Sequence, residues 1–198
     1  MNKFNSFLPF YFNKENISAF FFDFDGVLVD SVTLKLRAYQ EIFHPFGEDV
    51  VMEITNYHLA NGGIDRYKKI QYVLQKFSLP ISKLDLLADQ FAELVKEKVI
   101  QASPIEPMLN IVVEFHKQIP MFIVSGTPEV ELNDIVKARK WESYFLEVKG
   151  SPMTKSQIIN SLLNKYNLDK SKCVFIGDAI NDFLSARECG LYFLGVPY

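Results

Sequence analysis

The sequence predicts an α/β fold with a helical cap inserted into a parallel-sheet core, and three observations carry that prediction. The stretch 20–30, FFFDFDGVLVD, is an apolar, β-prone run that breaks into two carboxylates and a glycine, as a buried strand does when it delivers acids to its C-terminal end. Residues 31–103 show helical period and no convincing strand. From Ser103 onward strands and helices alternate, which makes a Rossmann-like parallel sheet core flanked by helices. Residues 1–30 and 104–198 are thus expected to form the α/β core that carries the site, and residues 31–103 the α-helical cap domain.

Each element follows from its residues. Residues 18–24 are the first strand, and residues 26–29 turn the chain away from the sheet edge. Residues 1–16, rich in Phe, Asn and Tyr, read as an arm packed on the body or as a loose tail. In the insertion, Leu34, Tyr39, Ile42 and Phe43 make one apolar helical face. A second face joins Tyr67, Ile70, Val73, Leu74 and Phe77, and a third joins Leu84, Leu87, Phe91, Leu94 and Val95. Two joints bound the insertion: the polar step after Asp30, and SPIEP at 103–107, whose prolines discourage a continuous helix. Paired linkers of this kind suit a cap that hinges over a site. Beyond them the pattern predicts helices over 109–118, 128–140, 155–166 and 182–189, and strands over 120–124, 144–148, 173–176 and 191–196.

Composition excludes several classes of function. With 198 residues, 48% of them hydrophobic, the chain can bury the core of one domain with a small insertion. A net charge of −3, with lysines scattered among acids, offers no basic stripe, so nucleic acid is not expected as a partner. No apolar run approaches the roughly 20 residues that span a bilayer. The N-terminus also lacks the apolar segment of a secretory signal, so no membrane partner and a cytoplasmic location are expected. Cys173 and Cys189 sit in apolar contexts and read as buried thiols rather than a disulfide or metal site. His44, His58 and His116 lack the spacing of a metal site or triad and read as structural or surface residues.

Three of the strands end in polar residues suited to one chemistry. The first ends at Asp23 and Asp25, the second at Ser125–Gly126–Thr127, and the fourth at Asp178, with Asp182 four residues later. In a parallel sheet these ends face one crevice. The repulsion between Asp23 and Asp25 calls for a metal ion or a shared proton. Acids from two strands can grip a hard cation such as Mg²⁺. The Ser125 hydroxyl and the backbone N–H groups around Gly126 can hold phosphate oxygens, or can simply cap the helix that follows. Lys155 falls in the first turn of a predicted helix, where the helix dipole disfavours a cation, so an anion is expected beside it.

These residues resemble the haloacid dehalogenase superfamily of phosphotransferases. DFDGVLVDS at 23–31 is similar to its first motif, SGT at 125–127 to its second, Lys155 to its third and GDAIND at 177–182 to its fourth. The resemblance implies a Mg²⁺-dependent phosphatase in which Asp23 takes the phosphoryl group as an aspartyl-phosphate and Asp25 acts as general acid and base. It implies Mg²⁺ held by Asp23, the backbone carbonyl of Asp25 and Asp178, supported by Asp182, with Ser125, Gly126 and Lys155 binding the phosphate. The insertion resembles the helical cap of the phosphoglycolate phosphatase and β-phosphoglucomutase branch, and NGGIDRYKKI at 61–70 is similar to that branch's specificity loop. Arg66, with Lys68 or Lys69, could reach an anionic part of a substrate there, although the three also read as the solvated face of an amphipathic helix. Two features depart from the family pattern. The chain stops at Tyr198, directly after the last predicted strand, and GSPMTK lacks the further proline common in phosphatases of this branch. The expected partner is a small phosphorylated metabolite, such as a sugar phosphate. The rival readings are a sugar phosphomutase, which returns the phosphoryl group to its substrate, and a non-catalytic binding module.

Overall fold

In the computed structural model the described residues run from Ile17 to Pro197; residues 1–16, read above as an arm or a tail, lie outside them. The first strand, β1 (Ala19–Phe22), is wholly buried and central. It pairs in parallel with β2 (Met121–Pro128) on one side and β4 (Cys173–Gly177) on the other. β3 (Glu147–Ser151) and β5 (Tyr192–Gly195) form the edges, giving the all-parallel order β3-β2-β1-β4-β5. A strand buried on both faces has no polar side to show, which is why FFF reads without alternation. Phe20 and Phe22 nevertheless point to one side of the sheet, and Ala19 and Phe21 to the other, into two separate apolar clusters.

Helices cover both faces, as the strand and helix alternation predicts. Side chains of α5 (Glu106–Phe115) and α6 (Glu129–Ala138) pack with Phe20 and Phe22. Those of α7 (Lys155–Lys165) and α8 (Ile180–Cys189) pack with Phe21. The second strand is longer than the sequence predicts, because a register shift between Val124 and Pro128 carries SGT onward in extended form. β3 begins three residues later than expected.

Residues 31–103 are helical: α1 (Val32–Phe43), α2 (Glu48–Ala60), α3 (Arg66–Lys76) and α4 (Leu84–Gln101) pack on one another. Their apolar faces merge with the Phe20 and Phe22 side of the sheet in one cluster. The α4 face is as predicted, with Leu87, Phe91 and Val95 buried. On α1 Tyr39, Ile42 and Phe43, and on α3 Ile70, Val73 and Leu74, are buried as predicted, but each stripe also takes in cations. Lys35 replaces Leu34 on α1, and Arg66 and Lys69 join Ile70 and Val73 on α3 while Tyr67 lies outward. The two joints lie side by side: the Asp30 N–H donates to the Ser103 carbonyl at 3.0 Å, and the Ile105 N–H to that of Leu28 at 3.0 Å. Arg139, just past α6, donates to the carbonyls of Val99, Ile100 and Ala102 at 2.7–2.9 Å, satisfying acceptors that the end of α4 leaves open. Among the described residues no helix is long and apolar enough to cross a membrane.

Candidate active site

The chain runs from β1 to β2 and β3 on one side and to β4 and β5 on the other, so a crevice opens beyond the carboxyl ends of β1 and β4. Asp23 follows β1 and Asp178 follows β4, which sets them face to face. The Asp23 N–H still donates to the Ile176 carbonyl at 2.9 Å, so the acid is held by the sheet ladder rather than by a loose loop. One oxygen each from Asp23, Asp178 and Asp182 lies within 4.8 Å of the others. Gly26 permits this closeness: with φ at +76°, it leaves room where a Cβ would collide with Asp178 Oδ2.

Lys155 finds the anion that its place at a helix start demands. Its Nζ lies 2.8 Å from Asp23 Oδ2 and 2.5 Å from Asp182 Oδ1, and Asp182 also accepts the Ala179 N–H at 3.1 Å. Burial alone would lower the Lys155 pKa, but Asp182 and Asp23 raise it well above the usual lysine value. Burial pushes the Asp23 carboxyl far up; Lys155 offsets part of this, while Asp182, Asp178 and Asp25 add to it. Asp178 is pushed up to about 6, first by burial and then by Asp182. These acids hold more negative charge than their neighbours neutralise.

Asp25 has a different setting. Ser31 Oγ donates to its Oδ1 at 2.6 Å, and Lys35 Nζ and Thr127 Oγ1 donate to its Oδ2 at 2.5 and 3.1 Å. Lys35 also donates to Thr127 Oγ1 at 2.8 Å, closing the ring. Burial would raise the Asp25 carboxyl, yet the Lys35 charge and the three donors hold it below its usual value. Ser125 turns its hydroxyl back to accept the Thr127 N–H at 3.2 Å, while Gly126 and Thr127 face the cavity. Ser125, Lys155 and Asp182 pack behind the wall, each at most 3% exposed.

Opposite stands the helical wall of a cavity of about 450 Å³, to which Lys35, Tyr39, His58, Arg66, Lys69 and Phe91 contribute. The loop between α2 and α3 folds down onto the core. Gly63 O occupies the space that a Cβ on Gly126 would need, at 2.5 Å, and accepts from Asn181 Nδ2 at 3.3 Å. Arg66 is 5% exposed rather than solvated. Its guanidinium pairs with Glu131 of α6 at 2.5 Å and lies 4.8 Å from the Phe91 ring, so its charge is directed at the protein rather than the cavity. Lys68 is exposed, whereas Lys69 is 2% exposed and lines the cavity beside His58. The reading of Arg66 and Lys69 as a solvated helix face is therefore corrected, since the opposing helices cover that face. Sequence reasoning missed Lys35 and His58, and it named Lys69 as a candidate substrate contact without placing it on the buried face. The available signal was their spacing: Lys35 lies four residues before Tyr39, and Lys69 four before Val73, so both fall on apolar stripes.

The family model for haloacid dehalogenase-like hydrolases matches residues 20–196. The chain belongs to this family. Among sequence relatives, the phosphoglycolate phosphatase of Photobacterium profundum is 26% identical over 197 residues, covering 93% of this chain and 85% of the relative. That of Vibrio parahaemolyticus is 25% identical over 197 residues, covering 93% and 86%. Two solved structures share the fold of this haloacid dehalogenase-like chain. A hydrolase from Pseudomonas syringae superposes with a TM-score of 0.74 at 20% identity, covering 90% of this chain and 84% of the other. CbbY from Rhodobacter sphaeroides, solved in complex with phosphate, superposes with a TM-score of 0.72 at 18% identity, covering 92% and 87%. Family membership agrees with the resemblance carried by the four motifs, and it makes the chain a hydrolase.

Proposed function

We propose that this protein is a Mg²⁺-dependent phosphatase that hydrolyses a small phosphomonoester through an aspartyl-phosphate on Asp23. One observation carries the proposal. In a single crevice, Asp23, Asp25, Asp178 and Asp182 form ion pairs, among the described residues, with Lys35 and Lys155 alone, so ionised they leave two negative charges unpaired among all-oxygen donors. That donor set fits a hard divalent cation. Asp23, Asp178 and the backbone carbonyl of Asp25 would hold it, with Asp182 fixed by Lys155 and supporting from behind. When bound, Mg²⁺ would neutralise phosphoryl oxygens and so let an anionic nucleophile meet an anionic ester.

The chain's own residues account for the remaining steps. Asp23 attacks phosphorus through one carboxylate oxygen, the bond to the leaving oxygen breaks, and Asp25 protonates that oxygen. Asp25 then accepts a proton from water, which attacks the aspartyl-phosphate to release inorganic phosphate and restore Asp23. The donors around Asp25 fix its orientation and suit it to the second, basic step. For the first step, the dianionic phosphate arriving beside Asp25 raises its affinity for a proton. The N–H groups around Gly126 would receive phosphoryl oxygens, and the Lys155 ammonium would balance Asp23.

We also propose that residues 31–103 act as a cap whose hinge is the hydrogen-bonded pair of joints at Asp30 and Ser103, and that the α2–α3 loop closes over the phosphate end. The test is phosphate release from a panel of phosphorylated two- to six-carbon metabolites with Mg²⁺, beside an Asp23→Asn control. Release by the wild type alone is expected. No release from any ester, or equal release by the control, would overturn the reading, and a positional isomer in place of free phosphate would point to a mutase.

A further inference from the structure

The last turn of α4 is capped from the other half of the molecule. Helix α8 ends on its own glycine, Gly190 at φ +79°, whose N–H turns back to the carbonyls of Ala186 and Arg187. Helix α4 instead ends on Ala102, whose backbone is already extended at φ −61° and ψ 149°, so the chain does not turn back to serve its last carbonyls. Arg139, which follows α6, supplies the donors: its Nη1 reaches the carbonyls of Val99, Ile100 and Ala102 at 2.9, 2.7 and 2.9 Å. The guanidinium lies over the Trp141 ring, 4.2 Å from its centroid. Among the described residues it forms no ion pair, and its Nε is buried without a hydrogen-bond partner.

A leucine at this position would pack on Trp141 and leave no polar atom unpaired, so the cation needs a reason beyond packing. Its position supplies one. The carbonyls it holds lead into the second joint, and that joint is layered against the first. The Asp30 N–H donates to the Ser103 carbonyl and the Ile105 N–H to that of Leu28, while Pro104 forms a β-bridge with Val29. Val29 in turn bridges Asp25, accepts from the Gly26 N–H at 2.9 Å and donates to the Phe24 carbonyl at 3.1 Å. Ser31, the next residue after Asp30, donates to Asp25 Oδ1 at 2.6 Å. A continuous run of main-chain bonds thus leads from the Arg139 guanidinium to the backbone of Asp25, and through Ser31 to its carboxyl.

We propose that Arg139 is a positioning residue for Asp25: it pins the second joint, and the joint holds residues 24–31 in the shape that aims the Asp25 carboxyl. A guanidinium suits this task, because its rigid fork of N–H groups serves several carbonyls at once and it stays charged at any working pH. None of the groups that Arg139 bonds lines the cavity, so its influence on the site passes through the joint. Ser31 and Lys35, the two insertion residues that grip Asp25, both follow the first joint directly, and a shift of that joint would move them together. The inference rests on the phosphatase reading for what Asp25 does, and the experiment below lets the two fail separately.

Amide hydrogen exchange and kinetics in the full chain, with the ester of the panel that is turned over fastest, compare the wild type with Arg139→Met and Arg139→Lys. Lys96→Met is the control, since it breaks the exposed Lys96–Asp134 pair between α4 and α6 without touching the joint. In Arg139→Met the amides of Gly26, Val29, Asp30 and Ile105 should exchange at least about tenfold faster, while those of α7 and α8 keep their wild-type rates. Phosphate release at saturating ester should fall about ten- to a hundredfold with KM changed by less than about threefold, as when a catalytic group is misaimed and binding is spared. Arg139→Lys, which returns a cation with N–H donors, should recover part of both effects and carries the comparison where the methionine variant does not fold. Lys96→Met should stay within about twofold of the wild type in both. Unchanged exchange at the four amides, exchange that rises evenly over the whole chain, or release within about twofold of the wild type in Arg139→Met would overturn the proposal. Faster exchange confined to the joint and the Asp25 loop, in a chain that releases no phosphate from any ester, would sustain the coupling and defeat the hydrolytic reading. Wild-type release with unchanged loop exchange in the variant would do the reverse.

Discussion

The two ends of the cavity are built on opposite electrostatic terms. At the sheet end, four carboxylates meet two ammonium groups, and the Asp23 and Asp178 pKa values rise, first through burial and then through the neighbouring carboxylates. At the helical end, Arg66 is neutralised by Glu131 and Lys69 is left over, so the excess is positive. The sheet end therefore calls for a cation and the helical end for an anion. The difference has a structural source: the sheet end is set by strand termini, whereas the helical end is set by helix packing.

The largest effects test the sheet end. Asp23→Asn should reduce phosphate release by at least about a thousandfold with the fold retained, because an amide cannot serve as the proposed nucleophile. Removal of divalent ions by chelation should have a comparable effect, reversed by Mg²⁺. Residual turnover within about tenfold of the wild type in either case would break the assignment of this end.

Lys155→Met should cost about 3 kcal/mol or more of stability in metal-free protein, read by denaturant unfolding, since it leaves buried Asp23 and Asp182 facing each other uncompensated. Asp178→Asn should act in the opposite direction. It relieves a crowded carboxylate that forms no ion pair among the described residues. The metal-free protein should gain about 1 kcal/mol, seen as a rise in Tm of about 2–4 °C, and should lose the further rise that Mg²⁺ gives the wild type. A fall in Tm would mean that Asp178 supports the fold rather than a cation.

Smaller effects sharpen the helical end. Arg66 and Glu131 should show a coupling of about 1–3 kcal/mol in a double-mutant cycle on stability. Arg66→Met should lower turnover of carboxylated and uncharged esters alike, and a loss confined to one of them would return Arg66 to a substrate contact.

Much of the sheet end was legible in the sequence. Asp23, Asp178 and the SGT turn each directly follow an apolar β-prone run, and strand geometry alone sends such residues to the same edge of a parallel sheet. Lys155 was legible for a related reason, because a cation at a helix start implies an anion beside it. The helical end was not legible in this way. Lys35, Lys69 and Arg66 fall on amphipathic helices where a shift of one residue turns a side chain by about 100°, and the sequence alone identified the apolar members of the α1 and α3 stripes but not the cations buried beside them. Which cation stays unpaired depends on contacts far apart in the chain: Glu131 reaches Arg66 from 65 residues away, and His58 reaches Lys69 from the preceding helix. The sequence by itself determined which apolar runs become the central strands and which polar residues follow β1 and β4, because those properties are local and a parallel sheet aligns them. Only the tertiary structure decided the charge left over on the opposite wall, because the charge of a buried group is set by all the neighbours packed around it.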